Sequence, residues 1–366
     1  MPQTTHIPEP NLFYYAPSEL SQDAVFTWLL SYADSKFATD FPKMHEAGKF
    51  FLAALLKKAK FEEKIEFEKF SYQNIEILKQ FEHTDLLVKL DEKIVLLIED
   101  KVNAQEHGDQ LKTYWDKINT KFSDRKVGAL YLKTGNPQPQ ELGKIDFKKY
   151  SFLGRQELLS ILEEIQKKVP GNEIINQFLD YLQEKERAFQ TYLTSPVGKW
   201  EYEGEEGFFT ALAAYFEKQE TETGRDESLT WKYVSNANGG FLGAFWSWGR
   251  FKGVVPYLQI ESWMSGERGG MENRLFVRLH SQPSAALTWE IWDKFLEVLQ
   301  KAGSEDGIQV TRVSRRRLGS TSAVAIIGDK DDWLKRKEDG KLDLEATFAC
   351  LDKISAMMRK AEQFQD

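Results

Sequence analysis

The residues with the clearest potential for chemistry are two acidic residues and a lysine, Glu99-Asp100-Lys101, which follow an apolar run. Residues 94–98 contain no polar side chain, which is typical of a strand buried on both faces. Charged side chains directly after such a strand reach water at the edge of the sheet. The same spacing of carboxylate and lysine occurs in Glu62-Glu63-Lys64 and Asp91-Glu92-Lys93, so the apolar run is what distinguishes the first occurrence.

A second carboxylate reaches this position if the chain folds as a hairpin. Pairing Leu90 with Ile94 places Asp85 opposite Glu99, where side chains lie about 4.5–5.5 Å apart and like charges repel. A hard cation such as Mg²⁺, which prefers oxygen ligands, would offset that repulsion. Lys101 lies two residues beyond Glu99 and therefore on the same face of the strand. There its ammonium can orient or help deprotonate an attacking water and offset charge on a phosphoryl group.

The elements that must position these residues alternate between helices and strands. Apolar periodicity predicts a helix that begins near Ser18, with Ser18 and Ser21 placed to cap it, and a second helix over residues 44–60. Mixed helices and strands predict an α/β domain around a central sheet. The further predicted elements are strands over residues 65–70, 75–80, 85–90, 94–99 and 127–132, a helix over 109–119, and helices beginning at Arg155 and Glu173.

The order of these residues resembles the PD-(D/E)xK nuclease superfamily. The motif would consist of Asp85, thirteen intervening residues, and Glu99-Asp100-Lys101. Thr84 stands where many members have the proline, a position that varies across the superfamily. The resemblance implies a restriction-endonuclease-like fold, in which helices flank a mixed central sheet.

Two flanking segments extend the resemblance to about residues 15–135. Gln110 and Tyr114 are similar to the Gln-x-x-x-Tyr motif of RecB-type members, and four-residue spacing puts both on one helical face. His107 precedes Gln110 as a histidine does in related bacterial proteins. Glu19, followed by Trp28-Leu29-Leu30, resembles the acidic residue of the family's first helix.

The resemblance implies a role for each of these side chains, with Mg²⁺ or Mn²⁺ as the cofactor. The ion would be held by carboxylates and a main-chain carbonyl, and the lysine would serve the water. The implied sets are Asp85, Glu99 and Lys101 for catalysis; Asp85, Glu99, the main chain of Asp100 and, through water, Glu19 for the metal; and Gln110, Tyr114 and His107 for the nucleic acid.

Each of these side chains also has a simpler structural interpretation. The acidic pair and lysine could form a salt-bridge cluster at the end of a hairpin. Glu19 could be a carboxylate favoured by a helix dipole, with Asp23 in its place at the site. Tyr114 could only pack on the sheet, and His107 could be an ordinary polar loop residue.

The composition limits the kinds of partner and compartment. A formal net charge of -8 argues against a surface that is basic throughout, so nucleic-acid binding would require local positive charge. The single cysteine, Cys350, excludes an intrachain disulfide and fits a reducing compartment. The first fifteen residues lack the basic and apolar regions of a signal peptide, and no apolar run has the length of a membrane span. We therefore expect a cytoplasmic protein that does not bind membranes.

Turn residues at 195–198 and acidic residues at 201–206 predict a domain boundary. Residues 1–195 would form the nuclease-type domain with trailing helices, and residues 200–366 an aromatic-rich α+β domain. Eight of the ten tryptophans lie from Trp200 onward, on predicted strands such as 241–251. Trp246 and Trp248 could stack on bases, although aromatic side chains on strands more commonly pack in a core.

The resemblance implies a metal-dependent nuclease that hydrolyses phosphodiester bonds through a Mg²⁺-activated water, with DNA as the expected substrate and restriction or phage defence as the expected setting. The alternative is a catalytically inactive nuclease-fold module that binds nucleic acid or protein. The intact acidic, lysine and glutamine set argues against that alternative, while the net negative charge argues for it. The C-terminal domain would recognise substrate, a trigger, a protein partner or a second copy of the chain.

Overall fold

The computed structural model describes residues 10–16, 18–62, 65, 72–102, 109–223, 228–236, 239–264, 271–283 and 286–364. Within it the chain divides into two compact units, Met1–Pro137 with Glu141–Glu186, and Gln138–Gln140 with Arg187–Asp366. The predicted domain boundary between residues 195 and 200 stays a prediction. Among the described helices, none combines the length and the apolar character needed to cross a membrane.

The described elements form one mixed and one antiparallel sheet, each with its own helices. The helices are α1 Leu12–Tyr15, α2 Glu19–Ser31, α3 Pro42–Lys58, α4 Gln110–Lys121, α5 Pro139–Leu142, α6 Arg155–Lys168, α7 Glu173–Phe189, α8 Thr191–Thr194, α9 Tyr202–Thr223, α10 Trp289–Asp306 and α11 Leu344–Gln363. The strands are β1 Lys60–Phe61, β2 Ile75–Phe81, β3 Thr84–Leu90, β4 Ile94–Lys101, β5 Lys126–Lys133, β6 Tyr150–Gly154, β7 Thr230–Val234, β8 Phe241–Trp246, β9 Val255–Met264, β10 Met271–His280, β11 Val310–Arg312 and β12 Thr321–Ile327.

The first sheet has the order β1-β5-β4-β3-β2, with β6 also paired to β5. Strands β2, β3 and β4 are antiparallel, whereas β4, β5 and β6 are parallel, and α4 makes the connection from β4 to β5. Leu90 pairs with Ile94, which confirms the predicted hairpin register. The predicted fold class, a mixed central sheet flanked by helices with a second C-terminal α+β domain, is therefore confirmed.

Strand β4 is buried along its whole length because helices cover both faces of the sheet. Alternate residues such as Leu96 and Ile98 pack on α2, α3, α6 and α7. The intervening residues, such as Val95 and Leu97, pack on α4. A strand covered on both faces needs an unbroken apolar sequence, which is the pattern that distinguished this segment.

Two local predictions for the first unit are not confirmed. Ser18 precedes α2, but its hydroxyl makes no capping bond to the helix and instead lies 3.2 Å from the hydroxyl of Ser21, so the predicted cap is wrong. The predicted strand over residues 65–70 lies outside the described residues apart from Ile65, which is not in a strand. The remaining helices and strands predicted for this unit lie within a few residues of their predicted bounds.

Gly48 allows α2 and α3 to approach closely, and α2 carries several residues of the site described below. A Cβ atom at Gly48 would lie 2.7 Å from both the amide nitrogen of Ala33 and the carbonyl oxygen of Leu29. These are backbone atoms, so a larger side chain forces the helices apart.

We therefore predict that Gly48→Ala lowers the stability of the first unit by about 1–3 kcal/mol, as overpacking does elsewhere. The measurement is denaturant unfolding, with Gly171→Ala as the matched control, because a Cβ atom at Gly171 meets nothing within 4 Å. Equal stability of the two variants would contradict the close approach of α2 and α3.

The second unit is a six-stranded antiparallel sheet in the order β11-β12-β10-β9-β8-β7. One face packs on α9, α10 and α11 in a single large core that includes Trp246. Trp248 follows the strand, is half exposed and stacks on Tyr257 with ring centroids 4.5 Å apart. The strand predicted over residues 241–251 ends at Trp246 because Ser247 has a φ of +56°, which an extended strand does not accommodate.

The acidic segment at residues 201–206, which helped to predict the domain boundary, forms the start of α9. Glu203 and Glu205 occupy the first turn, where a helix dipole favours carboxylates. Glu205 is fully buried and accepts a hydrogen bond of 3.3 Å from the side-chain amide of Asn273. Burial, opposed only in part by this bond, raises the pKa of Glu205 to about 8.

We predict that Glu205 makes the protein less stable as the pH rises from about 4.5 to about 8. In this range the unfolded chain has released the proton and the folded chain keeps it, so higher pH favours unfolding. Glu205→Gln should therefore gain stability relative to the wild type across this range, by on the order of a few kcal/mol at pH 8. Thermal unfolding at several pH values measures the difference, and two parallel curves would contradict it.

Candidate active site

The hairpin of β3 and β4 brings the predicted acidic residues to one end of the sheet. Its paired residues extend to Leu86 and Ile98, one position short of Asp85 and Glu99. Asp85 Oδ2 accepts a hydrogen bond of 2.9 Å from the backbone N–H of Asp100. The Asp85 carboxylate is therefore fixed by the neighbouring strand at the point where the regular pairing ends.

The ammonium group of Lys101 lies among three of the predicted oxygen donors. Its Nζ atom is 2.8 Å from Glu99 Oε1, 3.2 Å from Asp85 Oδ2 and 3.1 Å from the carbonyl oxygen of Asp100. All three side chains are largely buried, with exposed side-chain fractions of 8% for Lys101, 2% for Glu99 and 15% for Asp85. The predicted catalytic residues are thus in contact, and two carboxylates and one carbonyl converge on a single positive charge.

Burial and neighbouring charge determine the protonation of this group. Burial, opposed by the Lys101 ammonium and reinforced by the Asp85 charge, raises the pKa of Glu99 to about 7. Burial alone would lower the pKa of Lys101, but the Glu99 carboxylate and then Asp85 raise it above its ordinary value. The lysine is accordingly a hydrogen-bond donor in this arrangement.

The side chain of Asp100 points to the opposite face of the sheet, toward α2. Gln22 donates to Asp100 Oδ1 and accepts a hydrogen bond of 2.8 Å from the Thr134 hydroxyl. Burial, together with the Asp23 charge, raises the pKa of Asp100 well above its ordinary value, and burial followed by the Asp85 charge raises the pKa of Asp23 to about 6. A second acidic pair, Asp23 and Asp100, therefore lies behind the strand that carries the first.

Glu19 contacts the same strand end. It lies in the first turn of α2, as the helix-dipole interpretation requires, and its Oε1 accepts a hydrogen bond of 3.2 Å from the backbone N–H of Val102. Its negative charge also contributes to the raised pKa values of Glu99 and Asp100. Glu19 therefore belongs electrostatically to the site, and its role toward a metal stays a prediction.

Gln110 and Tyr114 lie together on α4, as their spacing predicts. The Gln110 side-chain amide donates a hydrogen bond of 2.7 Å to the Tyr114 hydroxyl. Tyr114 also packs against the cluster on the sheet face that α4 covers. His107 lies outside the described residues.

A family model described as the PD-(D/E)XK nuclease superfamily matches residues 11–185. This part of the chain belongs to the PD-(D/E)XK nuclease superfamily. The matched range extends from the helix that precedes Glu19 into α7, and so includes every element of the site described above. No curated protein and no solved structure matches the chain.

Proteins of the PD-(D/E)XK superfamily generally use a divalent metal, and the donor atoms here fit one. Asp85, Glu99 and the Asp100 carbonyl supply hard oxygen donors, which suit Mg²⁺ or Mn²⁺. Glu99 Oε2 is buried and has no hydrogen-bond partner among the described residues. Over the same residues, no three His, Cys, Asp or Glu side chains are grouped as a metal cage, so a bound ion would need the carbonyl, water or substrate as additional ligands.

A buried ion pair on the next strand of this PD-(D/E)XK unit was not predicted. Lys133, which pairs with Lys101 across β4 and β5, is 2.6 and 2.7 Å from the two carboxylate oxygens of Glu141. The Tyr131 hydroxyl donates to the same carboxylate. The sequence contains an indication of this pair, because a charged residue, Lys133, directly follows the apolar run that ends at residue 132. It was missed because Glu141 comes from a different element.

Metal binding at this PD-(D/E)XK site should increase thermal stability, because an ion that binds only the folded state stabilises it. We predict that Mg²⁺ or Mn²⁺ raises the melting temperature of the wild type and that Asp85→Ala abolishes the rise. The expected gain is about 2.7 kcal/mol at a concentration one hundred times the dissociation constant.

The matched control is Glu76→Ala, which removes an exposed carboxylate that pairs with Lys89 on the same sheet. This variant should respond to metal as the wild type does. An equal response in Asp85→Ala would place the ion elsewhere in the protein.

Proposed function

We propose that this protein is a Mg²⁺-dependent nuclease that hydrolyses phosphodiester bonds in DNA. The observation that supports this proposal best is the convergence of three oxygen atoms, from Asp85, Glu99 and Asp100, on one cationic group at 2.8–3.2 Å in a chain of this superfamily. Two carboxylates share one ammonium, so when both are ionised the group keeps a net negative charge that a divalent cation can offset. The proposed metal ligands are these three residues, with Glu19 acting through water.

The side chains would have separate tasks in this reaction. A divalent ion, when bound, supplies positive charge that polarises the phosphodiester and lowers the pKa of a water molecule. Asp85 and Glu99 would orient the ion, and the Asp85 carboxylate is itself held by the backbone N–H of Asp100. Lys101, as a hydrogen-bond donor, would orient the attacking water and offset negative charge on the phosphoryl group. Burial of the group strengthens these electrostatic effects.

The remaining parts of the proposal concern substrate and setting. Gln110 and Tyr114, which bond to each other on α4, would hold the nucleic-acid backbone through the amide and hydroxyl. DNA is proposed as the substrate because these two residues resemble the motif of RecB-type members. A cytoplasmic location and a role in restriction or phage defence complete the proposal.

The test is cleavage of plasmid, linear duplex and single-stranded DNA, and of RNA, with Mg²⁺ and without ATP. We predict that Lys101→Ala loses about 100-fold or more in rate, the effect of removing a donor that stabilises developing charge. The same variant should keep its fold and its thermal response to metal, whereas Glu99→Ala should lose both cleavage and that response.

Lys93→Ala is the matched control, because Lys93 belongs to the second carboxylate-x-lysine sequence, in the turn between β3 and β4. It should cleave at the wild-type rate. If Lys93→Ala were inactive and Lys101→Ala active, the assignment of the active site to Lys101 would be wrong. A wild type that binds nucleic acid and cleaves none of the substrates would favour the inactive-module alternative.

A further inference from the structure

The second unit has an aromatic cavity at one end of its sheet. At this end the chain passes from β7 to β8 and from β9 to β10. The cavity has a volume of about 610 Å³. The described residues that line it include Tyr233, Phe241, Trp263 and Phe276, with Glu261 and Arg274 as its charged members. Arg274 lies 5.2 Å from the centre of the Trp263 ring. The cavity therefore combines flat apolar surfaces with a small number of polar groups, as ligand sites commonly do.

A second, more basic cavity adjoins the aromatic one. It has a volume of about 420 Å³ and shares Met271 and Arg274 with the aromatic cavity. Its positively charged lining residues are Lys199, Arg274, Lys330 and Arg336, against two acidic residues, Glu272 and Asp331. One of these acidic residues, Asp331, binds Arg336 at 2.6 Å. The lining thus has an excess of positive charge in a protein whose net charge is negative.

Buried polar atoms lie beside both cavities. Glu205, Ser262 and Asn273 are between 0% and 4% exposed. They lie together, because Glu205 accepts a hydrogen bond of 3.3 Å from Asn273 and also bonds to Ser262. Ser262 lines the aromatic cavity and Asn273 the basic one. These three groups therefore form a buried hydrogen-bonded cluster beside the cavities, and such a cluster makes the neighbouring lining more rigid.

Glycines in left-handed conformations shape the rims of the two cavities. Gly240 has a φ of +91°, and a Cβ atom there would lie 2.5 Å from the carbonyl oxygen of Val234. Its N–H donates a hydrogen bond of 3.1 Å to Asn236 Oδ1, which holds the rim of the aromatic cavity. Gly198, with a φ of +85°, lies at the rim of the basic cavity. Both rims are therefore defined by backbone geometry that other residues rarely adopt.

We infer that the second unit binds a nucleotide, with the base in the aromatic cavity and the phosphate in the basic cavity. A planar base can stack on Trp263 and the neighbouring rings, and Glu261, on the same face of β9, can bond to its edge. Arg274, which lines both cavities, is placed to contact base and phosphate at once. The volumes of about 610 and 420 Å³ suit one small molecule. A lipid would leave the charged and polar lining groups unsatisfied.

The same chemistry could come from a free nucleotide or from one unit of a single strand, so the test includes both. Binding to the full-length protein is measured by calorimetry in EDTA, which prevents cleavage and makes the result independent of the proposed nuclease activity. The probes are AMP, GMP, CMP and UMP, an eight-residue single-stranded oligodeoxynucleotide, and ribose 5-phosphate, which lacks the base. Tighter binding of the oligonucleotide than of any mononucleotide would identify a single strand as the source.

We predict that the wild type binds at least one mononucleotide or the oligonucleotide. Trp263→Ala and Arg274→Glu should each weaken that binding about tenfold or more, as loss of stacking or of a phosphate contact does. The controls are Trp248→Ala and Lys232→Glu, since Trp248 and Lys232 are exposed residues of the same unit that line neither cavity. Both controls, and Glu99→Gln in the nuclease unit, should bind as the wild type does.

Four results would overturn the inference. The first is a wild type that binds no probe at millimolar concentration. The second is unchanged binding in Arg274→Glu. Because Arg274 is exposed, this substitution should not disturb the fold, and a loss of binding would report the contact itself. The third is loss of binding in Glu99→Gln, which would place the ligand in the nuclease unit. The fourth is equal binding of ribose 5-phosphate, which would remove the role of the base.

Discussion

The first unit depends on the register between β3 and β4. Pairing of Leu90 with Ile94 brings Asp85 and Glu99 to the same strand end and the same face. A slip of one residue would turn every side chain of one strand to the opposite face, so the acidic residues would separate and apolar residues would be exposed. Because both faces of β4 are buried by helices, such a slip is costly, and the core that stabilises the fold also fixes the site.

Three of the acidic residues at this strand end, Asp85, Glu99 and Asp100, each have at least one donor. Asp85 and Glu99 share the Lys101 ammonium, and Asp100 is bonded by Gln22 on the opposite face. Removing one partner from a buried charge costs much more than a surface ion pair contributes. Negative charges of Asp85 and Glu19 act on Glu99 at this strand end, and a bound cation would reduce their repulsion.

The second unit uses its aromatic residues in two different ways. Trp231, Trp246 and Trp292 are fully buried and fill the core between the sheet and its helices. Trp263 and Phe241 are only partly buried and line a cavity on the sheet. Core aromatics account for the stability of the unit, whereas partly exposed ones next to Arg274 leave surface available for a ligand. The high aromatic content of this half thus has two causes.

The sequence by itself determined the parts of the site that depend on local periodicity. An apolar run buried on both faces, alternation along β4 and four-residue spacing on α4 placed Glu99, Lys101, Gln110 and Tyr114 correctly relative to their own elements. Asp85 also followed, because a short hairpin leaves few possible registers. These features involve neighbours in the chain, and backbone geometry fixes how such neighbours are oriented.

Only the tertiary structure decided which contacts distant residues make at the site, including those of Glu19, which the family resemblance had assigned to it. Gln22 reaches Asp100 from 78 positions away, and Glu19 reaches the backbone of Val102 from 83. The start of α9 at an acidic segment, and the cavities that several strands and loops build together, were equally absent from local patterns. Such contacts depend on how helices pack on a sheet, as at Gly48, and one sequence carries no direct record of those distances. Periodicity predicts the face on which a side chain lies, whereas packing decides which residue it meets there.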